Sequence, residues 1–166
     1  MNFDIKYQDR EYQSIISPIL ETKAFHKTKE ITHHGVNRFE HSLRVSYYSY
    51  KISKFLKLNY QNTARGGLLH DFFLEDNDKG KMATLIKHPQ YALENSLEYF
   101  HLSDMEQDII RTHMFPVTAK PPKYLEGWIV DIVDNVASIY ERGWTVGRQV
   151  ATALNFLFLI CLNSLR

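Results

Sequence analysis

Four histidines and two aspartates stand in the chain order His41, His70-Asp71, His88, His113, Asp134. Imidazole nitrogen beside carboxylate oxygen is the donor set of first-row ions such as iron, manganese, nickel or zinc, whereas an all-oxygen set would favour magnesium or calcium. Six donors suffice for two ions. The arrangement expected from them puts His41, His70, Asp71 and Asp134 on one ion, makes Asp71 the bridge, and gives His88 and His113 to the second. Two ions about 3.5–4 Å apart lower the pKa of a water between them, polarise a phosphorus–oxygen bond and stabilise both entering and leaving oxygens. The expected chemistry is hydrolysis of a phosphoester or phosphoanhydride, with Asp71 as its central catalytic residue. Arg44, one turn after His41, could meet a phosphate oxygen with its forked donors. Each residue also has an ordinary role to be weighed. His88 could cap a helix, His113 could be a cation at a helix C-terminus, and Asp131 could pair with Arg142 or Arg148 or orient a ligand histidine.

The elements that must carry these donors read as helices. Apolar residues recur at spacings of three and four, strand-like alternation is scarce, and the 166 residues hold only 7 Gly and 5 Pro, so an all-α domain is expected. A first helix is expected over 12–25, interrupted near Pro18, followed by a loop with His33, His34 and Gly35. The density of apolar positions from Arg38 to Leu58 predicts a long, mostly buried helix carrying His41 and Arg44, closed by Asn59. A second core helix is expected over 62–73, where Gly66 and Gly67 allow a neighbouring backbone to approach and the C-terminal end presents His70 and Asp71. The polar run 75–80 reads as an exposed turn. Pro89 suits a first helical turn, which would leave His88 at the entrance of a helix through Leu97 and Phe100. Ser103 with Glu106 forms a capping box opening a helix to about His113, and Pro116, Pro121 and Pro122 mark a stiff loop. In the segment 127–140 the apolar residues cover most of the helix circumference. Asp131, Asp134, Asn135 and Ser138 share one stripe, expected to face inward, where a buried acid requires a cation or donors.

Composition narrows the function classes. With 44% apolar and 13% aromatic residues the chain can build one full-sized core, and no linker or repeat divides it, so a single domain over 1–166 is expected. The formal charge of +1, from 20 basic and 19 acidic side chains, provides no field for a nucleic-acid backbone or an anionic membrane. The tyrosines at 47, 48 and 50 therefore read as packing. Cys161 is the only cysteine, so the donors must be histidine and carboxylate, and a cytosolic setting is the simplest. The segment 1–6 lacks the features of a secretory signal, and the apolar segment 151–162 falls well short of the roughly 20 residues that span a bilayer. Within a C-terminal apolar helix over about 145–164, the run from Phe156 to Leu162 exceeds what one helix face needs, which predicts a weakly held homodimer.

Three stretches resemble a known family. His41-Ser42-Leu43-Arg44-Val45, Leu68-Leu69-His70-Asp71 and Val133-Asp134-Asn135-Val136-Ala137 are similar to the motifs of the HD-domain metal-dependent phosphohydrolases, over about 34–138. The resemblance implies a compact helical bundle and a metal held by His41, His70, Asp71 and Asp134. Members with two further histidines in the interval of His88 and His113 hold two metals, often iron. Such members include hydrolases of symmetrical dinucleoside tetraphosphates, which this chain resembles in motif order, so a nucleotide or small phosphorylated metabolite is the implied substrate. Iron or manganese leads the implied metals, with nickel, zinc or magnesium behind them. The chain departs from the family where many relatives continue His-Asp-Ile-Gly-Lys, because here the run is His70-Asp71-Phe72-Phe73-Leu74. The phosphate must then be met by Arg44, Lys87 or a loop residue such as His34. Two other readings stay open: a nucleotide- or metal-binding protein without turnover, and an oxygen-dependent enzyme with a dinuclear iron site.

Overall fold

A computed structural model describes residues 7–33, 36–73 and 81–164, with side chains described for 7–31, 37–73, 86–143 and 146–147. It is an α-helical protein. The helices are α1 (Arg10–Leu20), α2 (Lys23–His26), α3 (Arg38–Phe55), α4 (Tyr60–Leu69), α5 (Lys81–Tyr99), α6 (Asp104–Thr112) and α7 (Leu125–Ser164), with a 3-10 turn at Lys27–Glu30. A minimal antiparallel ladder pairs β1 (Thr32–His33) with β2 (Val36–Asn37) just before α3. The loop expected around His33 is thus replaced by a two-rung ladder. His34, Gly35 and the polar run 75–80 lie outside the described residues.

Local chemistry sets the helix ends. Asp9 caps α1 by accepting from the amides of Glu11 and Tyr12, Asn37 caps α3, and Asn59 caps α4. Asn59 therefore begins the next helix and does not close the previous one. α3 stops at Phe55, and Lys57 turns the chain with a φ of 58°. The expected first helix divides at Glu21, because Thr22 accepts from the amide of Phe25 and starts α2. Ser103 and Glu106 make the reciprocal capping box that opens α6. Pro89 corrects the expectation for α5. It lies inside the helix, two turns from its start, so His88 is a mid-helix residue whose burial aims it inward. The proline lacks the N–H that would have met the carbonyl of Leu85, and its ring crowds that carbonyl.

Two glycines let α4 pack closely on its neighbours: a Cβ on Gly67 would stand 3.2 Å from Ser46 Cα on α3, and one on Gly66 would stand 2.9 Å from Ile109 Cγ2 on α6. Ser46 secures the crossing by donating to the carbonyl of Ala64 at 2.6 Å, and Tyr12 donates to Ser46 Oγ at 2.9 Å. The main apolar core joins α1 to α5 around Tyr12, Phe25, Leu69 and Phe72, and a smaller cluster joins Val45, Ile109, Val130 and Val133. On α7 the expected inward stripe holds for Asp131 and Asp134, which are buried, whereas Asn135 faces solvent. Part of the apolar circumference lies in solvent: Ile132, Val136 and Ile139 are more than half exposed. Helix α7 runs unbroken through the expected C-terminal helix, and the side chains from Phe156 to Leu162 lie outside those described. Among the described residues no helix is long and apolar enough to cross a membrane.

Candidate metal centre

Two of the histidines are placed by helix ends. His70 is the C-cap of α4 and His113 the C-cap of α6, and each approaches with Nδ1, at 2.8 Å, a carbonyl three residues back, Gly67 and Ile110 respectively. A carbonyl can only accept, so both Nδ1 atoms carry a proton and both Nε2 atoms are turned to the interior, where a proton or a metal can bind them. The helix termini thus satisfy their own unpaired carbonyls and fix the tautomer of two metal-type donors in one interaction.

His41, on α3, is fixed from α7. Its Nδ1 lies 2.9 Å from Glu141 Oε2 and its Nε2 lies 2.9 Å from Asp134 Oδ1. Both carboxylates only accept, so a cation must occupy the His41–Asp134 contact, either a second ring proton or a metal. Asp134 Oδ1 is also 3.7 Å from His70 Nε2, and Asp71 Oδ2 is 3.9 Å from the same nitrogen. That nitrogen is buried and makes no hydrogen bond among the described residues. On the other side, Asp71 Oδ1 stands 3.4 Å from His88 Nε2 and 3.7 Å from His113 Nε2, and those two nitrogens are 2.9 Å apart. Asp71 therefore turns one oxygen toward each half of the cluster. His41, His70, Asp71, His88, His113 and Asp134 are all buried.

Electrostatics follow from that packing. Burial works against an imidazolium at His41, but the hydrogen bonds to Asp134 and Glu141 outweigh it and push its pKa up to about 10. Burial likewise opposes charge on His70, and the carboxylates of Asp71 and Asp134 overcome it and raise its pKa. His113 goes the other way, to about 3, because burial disfavours its charged ring and the imidazoles of His70 and His88 beside it add to that. Burial would lift the Asp134 carboxyl, yet the imidazoles of His41 and His70 beside it hold it well below the usual carboxylate range. The pattern of imidazoles and acids holding cations in a water-poor pocket is what a divalent ion would replace. Three overlapping trios, His41-His70-Asp71, His70-His113-Asp134 and Asp71-His88-His113, bring ligand atoms within 4.8 Å of one another. The donor set fits a divalent metal.

The remaining expected residues fall elsewhere. Arg44 points its guanidinium at the buried Glu141, so the arginine's charge is engaged in holding the carboxylate that orients His41. Asp131 is buried and its carboxyl is pushed up to about 6, by burial first and by the Asp134 charge second. An arginine partner would have lowered it, so the ion pair considered for Asp131 does not set its charge. The side chain of Arg148 lies outside those described. Lys87 is exposed on α5, and His26 stacks on Phe39 at 5.8 Å, away from the cluster. Glu141 is the residue that sequence reasoning missed. Its signal was present: it lies two turns after Asp134 on the same face of one helix, with Ser138 between them.

The HD domain family matches residues 38–139, which is more than half of the chain, and the protein belongs to that family. The matched span runs from the start of α3 into α7, and all six donors lie within it. Comparison with curated proteins returns no match.

Proposed function

We propose that the protein is a metal-dependent phosphohydrolase that cleaves a phosphoester or phosphoanhydride bond in a nucleotide or a small phosphorylated metabolite. Membership of the HD family supports a metal-dependent hydrolase, and one observation carries the reading to this chain: the buried contact of His41 Nε2 with Asp134 Oδ1, which needs a shared cation, beside the Nε2 of His70, which makes no hydrogen bond among the described residues. Divalent ions held by His41, His70, Asp71 and Asp134 on one side, and by Asp71, His88 and His113 on the other, would supply Lewis-acid polarisation of the phosphate and a water acidic enough to attack at neutral pH. The protein's own part is positional. The carbonyls of Gly67 and Ile110 fix which nitrogen of His70 and His113 is turned to the interior, Glu141 does the same for His41, and Arg44 holds Glu141 in place. Burial keeps bulk water from competing for the donors and strengthens every charge interaction among them. With Arg44 so engaged, it acts through His41 and is not assigned a substrate contact.

The test is elemental analysis of protein purified without added metal, followed by phosphate release from a panel of nucleotides and phosphoesters with iron, manganese and nickel. Asp71→Ala is expected to abolish turnover and to lose most of the bound metal with the helical content kept. Full activity in that variant would refute the assignment. Nucleotide binding without phosphate release from any substrate would make the chain a binding protein, and oxygen uptake by the iron-loaded form would make it an oxygenase.

A further inference from the structure

The face formed by α3 and α7 on the outside of the bundle meets the site just described through Arg44, which lines its groove, and is otherwise apolar. Ile132, Val136, Ile139 and Val146 are exposed by 58%, 61%, 72% and 58%, and Phe55 on α3 by 84%. Tyr48, Ile52 and Tyr140 join them across a groove of about 520 Å³ between the two helices. Together these side chains expose on the order of 1,000 Å² per chain, above the roughly 300–600 Å² of the largest patch on a typical monomer and enough for the about 800 Å² that each partner contributes to a standard interface.

The spacing says what covers the patch. Positions 132, 136, 139, 143 and 146 advance by four, three, four and three residues, the seam of a coiled coil. In sequence, Val150, Ala153, Leu157 and Ile160 continue the same four-and-three spacing. None of these nine residues is charged, so the seam offers nothing to an acidic or basic partner. Gly143 sits on it and Gly147 beside it, and a Cβ at either would meet nothing within 4 Å, which leaves room for another backbone to come close. At 1.5 Å per residue the 40 residues of α7 span about 60 Å, against about 27 Å for the 18 of α3, so the seam is longer than the bundle is tall. We infer that this face is the interface of a homodimer in which α7 packs along α7 of a second copy, with side chains of one copy seated in the α3–α7 groove of the other. A neutral, repeating, self-complementary seam is satisfied by an identical helix, and a two-fold axis closes the contact without leaving a second patch open.

Sedimentation velocity on the full metal-loaded chain, from low to high micromolar concentration, reads the result. The expected outcome is a dimer, with Ile139→Glu and Ile52→Glu each raising the dissociation constant by about 100-fold or more. Both residues are exposed and neither belongs to the metal cluster, so circular dichroism and metal content should stay unchanged and separate lost association from lost folding. A wild-type monomer at the highest concentration would overturn the inference, as would a dimer that both variants leave intact. Binding of the monomer to phosphatidylcholine vesicles, abolished by the same substitutions, would overturn it in favour of a lipid surface.

Discussion

Two side chains outside the donor set govern how well the donors can hold a metal. Glu141 hydrogen-bonds His41 Nδ1 and pairs with Arg44, so it sets both the tautomer and the orientation of the imidazole. Glu141→Gln keeps the shape but loses the charge, and metal affinity should fall by about 10–100-fold, measured by competition with a chromophoric chelator. An unchanged affinity would show that Glu141 only packs. Asp131 provides a test in pH. A carboxyl pushed up to about 6 binds its proton more tightly folded than unfolded. Its contribution to stability is therefore complete below the unfolded pKa near 4 and is lost as pH rises through about 6. Asp131→Asn, neutral throughout, should raise Tm at about pH 8 and leave little gain at about pH 4. Equal gains at both would place the cause outside ionisation.

At the scale of elements, the crossing of α3 and α4 decides whether the first donors meet, since His41 rides on one helix and His70 caps the other. A methyl group at position 67 would lie 3.2 Å from Ser46 Cα, and that neighbour is backbone, which yields less easily than a side chain tip. Gly67→Ala should therefore cost about 1–3 kcal/mol in urea unfolding and weaken metal binding as the two helices part. Position 67 was legible in the sequence as a close approach, because a small residue in a core helix has few other uses. The break between α1 and α2 was less legible, since a threonine cap competes with an apolar pattern that runs on past it. The interior proline of α5 misled in the same way: the rule for Pro89 concerns a missing donor, and tertiary packing of His88 and its neighbours decided that the helix should continue through it.

For the molecule as a whole, ligand binding and folding are linked because the donors converge only in the folded chain. A divalent ion at about 100 times its dissociation constant should stabilise the protein by roughly 2.7 kcal/mol, or on the order of 5–10 °C in Tm by calorimetry, and chelation should remove that gain. In Asp71→Ala the difference between loaded and chelated protein should vanish. The sequence by itself determined the helical class, the positions of the donors and the family, because helical periodicity is local and His-Asp adjacency survives without any fold. Partnerships across the bundle were decided only in three dimensions. That Glu141 reaches His41, one hundred residues away in the chain, depends on α7 crossing α3 at one height, and that Arg44 spends its charge there follows from the same crossing. The outward face of α7 belongs to this second kind: the sequence makes the helix apolar around most of its circumference, and only the packing of α3, α4 and α6 against it decides which of those residues stay in solvent.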